Sequence, residues 1–225
     1  MFKIRKEIDM RDKIIDSVKA EGLIVIVRGI DRDKLIPLAE AMYAGGVRLL
    51  ELTYSANGSV SDEETADRIK MLADHFKGRM YIGAGTVLKT EQVEMTAKAG
   101  GGFIISPDVC PEIIKKTREM GLVSIPGALT PTEIMTAHRS GADFVKVFPA
   151  GNMGVDYMKS IMAPLSHIGL LAVGGINLDT LPSYKKLGVA GYGLSSNIID
   201  KKKVDEGDFA AITALAEKYV NLIKG

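Results

Sequence analysis

Three short apolar segments carry a charge inside a run that a buried strand would keep apolar. They are LIVIVRG (Leu23 to Gly29), VRLLELT (Val47 to Thr53) and FVKVFP (Phe144 to Pro149). Successive side chains of a strand point to opposite faces. Ile24, Ile26 and Arg28 therefore share one face, as do Leu49, Glu51 and Thr53, and again Phe144, Lys146 and Phe148. Each charge falls near the C-terminal end of its segment. If those faces converge, a lysine, a glutamate and an arginine meet in one poorly hydrated space. A buried charge without a partner is costly and shifts its pKa. Such a cluster is either a structural ion-pair network or a reaction centre. As a reaction centre, Lys146 would be a nucleophile lowered by burial and by a neighbouring cation, for which Arg28 is the candidate. A lowered amine leaves a neutral fraction able to attack a carbonyl. Glu51 would be the general acid/base.

Two glycine-rich segments point to phosphate. AVGGIN (Ala172 to Asn177) and GYGLSSN (Gly191 to Asn197) follow two later apolar runs. Loops of this kind, with a short helix start behind them, hold phosphate through backbone N–H groups. Gly174 and Gly175 permit close backbone approach, and Ser196 adds a hydroxyl. The remaining candidates carry less. His75, His138 and His167 lie away from the C-terminal ends of the apolar runs, which gives a metal-dependent epimerase poor support. Cys110 has no histidine beside it and reads as a packed small residue. Lys201 to Lys203 read as a solvated turn.

The elements that must position these residues alternate from end to end. Eight apolar runs recur: the three above, MYIGAGT from Met80, FIISP from Phe103, LVSIPG from Leu122, GLLAVGG from Gly169 and VAGYGLS from Val189. Near-continuous hydrophobicity marks strands covered on both faces. The segments between them place apolar residues three and four apart, as amphipathic helices do. Asp31, Ser61, Thr90 and Thr130 read as helix N-caps. Gly45, Gly100, Gly121, Gly141 and Gly188 read as left-handed helix ends. Eight strand–helix repeats in one chain without a linker predict a single α/β domain over residues 1–225, a (β/α)₈ TIM barrel. A doubly wound sheet is the alternative, but no G-x-G-x-x-G follows the first run. Residues 1–21 are expected to add an N-terminal helix closing the barrel bottom, and the segment from Asp208 to Lys224 to form the last outer helix. Active sites of such barrels lie at the C-terminal ends of the strands, where the three charges and both glycine loops fall.

Composition narrows the function class. With 29 basic and 28 acidic residues the net charge is +1, which removes the electrostatic case for a nucleic-acid binder. One cysteine in 225 residues allows no internal disulfide and suits a reducing, cytoplasmic setting. Charges interrupt the N-terminal segment and no apolar stretch approaches about 20 residues, so neither a signal peptide nor a membrane span is expected.

In this order, VIVRGI, AGGVRLLELT, IGAGTV, FIISP, IPGALTPTE, FVKVFPA, AVGGIN and GLSSN resemble the class I 2-keto-3-deoxy-6-phosphogluconate aldolases, the KDPG/KHG aldolase family. The resemblance covers nearly all of the chain after Gly22. It implies a reversible retro-aldol cleavage to pyruvate and glyceraldehyde 3-phosphate, with 4-hydroxy-2-oxoglutarate as a second substrate and no cofactor or metal. It puts the Schiff-base lysine on Lys146 and the proton-handling glutamate on Glu51. Thr86 and Arg28 fall on carboxylate-binding positions, and Gly174, Gly175 and the Ser195-Ser196 pair on phosphate-binding ones. It also implies a homotrimer. The chain departs from gluconate-type members at Ser55, where many carry a carboxylate-binding arginine. It departs again at Val173, where they tend to carry threonine and galactonate-type members valine. The stretch ANGSVSDEETADR after the second run is longer than the family leads one to expect. The 2-keto-3-deoxy-6-phosphogalactonate epimer is therefore an alternative substrate. A phosphosugar isomerase, and a non-catalytic sugar-phosphate sensor, are the alternatives of other classes.

Overall fold

The computed structural model describes residues 9–225. The first eight residues of the expected N-terminal extension lie outside the described residues. The strands are β1 (Leu23–Val27), β2 (Leu49–Thr53), β3 (Tyr81–Gly85), β4 (Phe103–Ile105), β5 (Val123–Ile125), β6 (Gly127–Ala128), β7 (Val145–Val147), β8 (Leu170–Val173) and β9 (Gly191–Leu194). The helices are α1 (Met10–Glu21), α2 (Arg32–Ala44), α3 (Asp62–His75), α4 (Thr90–Lys98), α5 (Pro111–Glu119), α6 (Pro131–Arg139), α7 (Ala150–Met153), α8 (Val155–Met162), α9 (Leu181–Leu187), α10 (Lys201–Glu206) and α11 (Phe209–Lys224).

All strand pairs are parallel, in the order β5-β4-β3-β2-β1-β9-β8-β7-β6. The two ends of that order are the halves of one chain segment, split at Pro126. Pro126 has no N–H to give a ladder, but its carbonyl accepts from Lys146 N at 2.9 Å. The first half pairs with β4 and the second with β7. The eight expected runs thus close a barrel, and the fifth run is written as two short strands.

Alternation along each strand separates two cores. Ile24, Ile26, Leu49, Phe103, Ile105, Phe144, Leu171 and Val173 fill the barrel interior. Leu23, Val25 and Val27, their neighbours on β1, instead join the shell between strands and helices. Ile14 and Val18 of α1 belong to the inner cluster, so α1 plugs the barrel as expected. Arg11 of α1 pairs with Asp143 just ahead of β7, and Asp143 also takes Arg118 at 2.7 Å and the N–H of Ser124 at 2.9 Å.

Local signals hold in part. Ser61 caps α3 by accepting from Glu64 N, and Thr130 forms a full capping box with Glu133 on α6. Asp31 sits at the N-cap of α2 but makes no side-chain bond. Thr90 is not a cap: Lys89 holds that position, and the helix starts on Thr90 itself. Gly45 is not left-handed, with φ −74°. Gly46 takes that conformation, while a Cβ on Gly45 would lie 2.5 Å from Ala216 of α11. Lys201 to Lys203 form no turn; they open α10, capped by Asp200. Among the described residues no helix is long and apolar enough to cross a membrane.

Candidate active site

Lys146 is the central residue of β7 and is 8% exposed; Glu51, central in β2, is 2% exposed. Arg28 follows directly on β1, and its guanidinium donates to Thr86 Oγ1 at 3.0 Å. Thr86 has φ +55°, the left-handed region, and no other non-glycine described residue does so. A β-branched residue there is strained, and such strain clusters at functional sites. It presents the hydroxyl of Thr86 to Arg28.

Burial dominates the electrostatics. It pushes the Glu51 carboxyl up to about 7, against the pull of Lys146 and Arg28 in the other direction. Oε2 of Glu51 is buried without a hydrogen-bond partner. Burial also lowers Lys146; Arg28 adds to that and Glu51 opposes it. The Lys146 ammonium lies 4.8 Å from the centroid of the Phe148 ring. The cluster thus holds an amine made easier to deprotonate and a carboxyl that exchanges protons near neutrality. Those are the states that carbonyl attack and acid/base catalysis require.

The glycine loops close the other side. Gly174 and Gly175 both take left-handed φ, +85° and +77°. Gly151, after β7, packs against them: its N–H donates to Gly174 O at 2.7 Å, and a Cβ on it would lie 2.7 Å from that oxygen. No helix starts directly behind either loop. After β9 the chain instead makes one turn, with Ile198 N and Ile199 N both donating to Ser195 O. The Ser195 hydroxyl is spent on Ile26 O at 3.0 Å, so Ser196 is the serine left to offer one. Asn197 Nδ2 donates to Ile176 O at 2.6 Å and ties the two loops together.

All nine residues expected at the site line one cavity of about 430 Å³: Arg28, Glu51, Thr86, Lys146, Val173, Gly174, Gly175, Ser195 and Ser196. Phe148, Leu88, Asn197 and Ala56 also line it and were not singled out from the sequence. The alternation in FVKVFP had placed Phe148 on the face of Lys146, which was its signal. None of the three histidines lines the cavity: His75 meets Glu40, and His138 packs edge-to-face against His167. Cys110 occupies the N-cap position of α5 without a side-chain cap bond, and its thiol donates to Glu112 Oε2 at 3.2 Å. The segment after β2 is an eight-residue loop, Tyr54 to Ser61, before α3 begins. Ser55 is bonded within that loop to Asn57 and Ser59. The loop lines a second cavity of about 400 Å³ that shares Arg28, Ala56 and Thr86 with the first.

The family model for KDPG and KHG aldolase matches residues 14–215. The chain belongs to the KDPG/KHG aldolase family. Members of this family are carbon–carbon lyases, and this chain is one. A 2-dehydro-3-deoxy-6-phosphogalactonate aldolase from Escherichia coli (strain K12) is 34% identical over 177 residues, 78% of this chain and 83% of that protein. A 2-dehydro-3-deoxy-phosphogluconate aldolase from Treponema pallidum (strain Nichols) is 30% identical over 93% of this chain and 97% of that protein. Among solved structures, a native KDPGal structure superposes with TM-score 0.79 at 32% identity, covering 90% of this chain and 96% of that one. A KDPG aldolase from Legionella pneumophila, with pyruvate captured as a covalent carbinolamine, superposes with TM-score 0.79 at 26% identity, covering 90% of this chain and 96% of that one.

Proposed function

We propose that the protein is a class I aldolase that cleaves 2-keto-3-deoxy-6-phosphogluconate to pyruvate and glyceraldehyde 3-phosphate through an imine on Lys146. One observation carries this reading: a buried lysine and a buried carboxyl share one cavity, with the Arg28–Thr86 pair and the glycine loops on its walls. The neutral Lys146 amine adds to the C2 carbonyl, and the carbinolamine loses water with a proton from Glu51. The resulting iminium draws in the electrons of the C3–C4 bond as the C4 hydroxyl gives its proton to the Glu51 carboxylate. Glyceraldehyde 3-phosphate leaves, and an enamine remains on Lys146. Glu51 returns a proton to C3, and hydrolysis releases pyruvate. Arg28 and Thr86 hold the C1 carboxylate. Gly174, Gly175 and the Ser195-Ser196 turn hold the phosphate. The same steps serve 4-hydroxy-2-oxoglutarate, which lacks the phosphate.

Borohydride reduction in the presence of pyruvate tests the mechanism. One reduced pyruvyl group should appear on Lys146, and none on Lys146→Arg, which should also lose turnover by several orders of magnitude. A phosphosugar isomerase or a sugar-phosphate sensor would leave Lys146 unmodified.

A second substrate is favoured by Val173, which forms the cavity wall just before Gly174. The galactonate epimer differs at C4, and galactonate-named relatives carry the highest identities given above. We propose that both epimers are cleaved. We also propose a cytoplasmic homotrimer, to be checked by sedimentation, where a particle of three times the 24.2 kDa chain mass is expected.

A further inference from the structure

β3 carries two glycines on its inward side, Gly83 and Gly85. Glu51 is in register with Gly83, yet its carboxyl reaches along the strand to Gly85. A Cβ on Gly85 would lie 1.5 Å from Glu51 Oε1 and 2.2 Å from its Cδ. Gly85 does not adopt a left-handed φ. Its backbone would accept an alanine, so it is the space in front of it that requires glycine. No hydrogen bond holds the buried Oε2 of Glu51, so packing against β3 sets where the carboxyl sits.

We propose that Gly85 is a positioning residue for the reaction: its missing side chain is the socket that seats the Glu51 carboxyl beside Lys146. The proposal rests on the reading of Glu51 as the acid/base. It places the two functions of the third strand end side by side. Gly85 seats the acid/base, and the next residue, Thr86, takes the hydrogen bond of Arg28. Gly83 makes the contrast. A Cβ there would meet the Phe103 ring first, its three nearest atoms all lying on that ring at 2.3–2.5 Å.

A second consequence concerns protonation. The charges facing the Glu51 carboxyl are Lys146 on β7 and Arg28 at the end of β1. A Cβ at Gly85 drives the carboxyl out of its socket into the open cavity. Burial then opposes its charge less, and its titration moves to lower pH.

The experiment compares Gly85→Ala, Glu51→Asp, Glu51→Gln, the Gly85→Ala/Glu51→Asp double variant and Gly83→Ala. It measures exchange of pyruvate methyl protons into deuterium oxide, kcat, KM, pH profile and melting temperature. Gly85→Ala should slow exchange about 10²-fold with KM within about threefold, and move the Glu51 limb of the profile to lower pH. Aspartate is one methylene shorter, so the new methyl meets its Cγ position at 2.7 Å, where glutamate brings Cδ to 2.2 Å and Oε1 to 1.5 Å, and a small shift of the shorter side chain relieves the contact. In the Glu51→Asp background Gly85→Ala should therefore cost less than about threefold. Gly83→Ala should lower the melting temperature and leave the limb in place. Equal losses in both backgrounds, or an unmoved limb in Gly85→Ala, would overturn the proposal. Should Gly85→Ala not fold, a double variant that folds and exchanges like Glu51→Asp supports the socket, and one that stays unfolded overturns it. If Glu51→Asp and Glu51→Gln both exchange at the parent rate, the acid/base reading fails first and takes the socket with it. That result is distinct from a failure of Gly85 alone.

Discussion

Glu51 is the residue at which stability and chemistry oppose each other. Its carboxyl is raised to about 7 in the folded chain, from 4.5 in an unfolded one. Between those values the folded state holds the proton that the unfolded state has lost, so stability falls as pH rises from about 4.5 to 7 and then levels off. Glu51→Gln removes that penalty. The variant is expected to be more stable than the parent at pH 8, by on the order of 3 kcal/mol, with the gap narrowing toward pH 5. Its pyruvate proton exchange should fall by about 10²–10⁴. Melting curves at the two pH values check the first outcome, and a gap that widens toward pH 5 would contradict the buried carboxyl. Val173 is the second residue to test. It packs in the cavity wall against Gly193 and offers no hydrogen bond to a C4 hydroxyl. Such a bond discriminates by about 0.5–1.5 kcal/mol. The two C4 epimers should then differ in kcat/KM by no more than about two orders of magnitude. Val173→Thr should move the ratio toward the gluconate epimer. A strict gluconate preference that the substitution leaves unmoved would remove Val173 as the selector.

At the scale of elements, the loops after β8 and β9 invite a direct test of phosphate binding. Gly175 is left-handed, and a Cβ on it would lie 3.2 Å from Gly151 Cα. Gly175→Val should raise KM for the phosphorylated substrate at least about tenfold, the equivalent of 1.4 kcal/mol, while 4-hydroxy-2-oxoglutarate is affected far less. Equal losses on both would place the phosphate elsewhere. The sequence made these loops and all eight strands legible, because apolar runs and glycine pairs are local signals. It placed Lys146, Glu51 and Arg28 correctly on inward faces for the same reason. What it hid depends on contacts between distant elements. Nothing in IGAGTV announces that Thr86 is left-handed, or that Gly85 is empty for the sake of Glu51. The split of the fifth run at Pro126 needs the barrel to close around it. Thr90 and Gly45 were misread by a single position each, where a neighbouring residue took the cap or the left-handed turn.

Across the whole molecule, the barrel separates its stabilising end from its reactive one. α1 closes the bottom with Ile14 and Val18, both 1% exposed, and the Arg11–Asp143 pair holds that helix to the segment leading into β7. Ile14 reaches deep enough that a Cβ on Gly102, just ahead of β4, would lie 2.3 Å from its Cδ1. The cavity lined by Lys146 and Glu51 opens at the other ends of the same strands. Between plug and cavity lie the inner side chains, among them Leu49, two residues before Glu51, and Phe144, two residues before Lys146. A defect in the plug should therefore be felt as lost packing and should not reach the reacting groups. Ile14→Ala leaves a cavity at the base and should cost about 2–5 kcal/mol. For a chain of this size that lowers the melting temperature by on the order of 10 °C. At 25 °C, well below the transition, kcat/KM should stay within about threefold of the parent, since barrel sites sit opposite the plugged end. Calorimetry and steady-state kinetics on one preparation decide the matter. A variant that melts like the parent but has lost activity would show that α1 acts on the site and does not merely close the barrel beneath it.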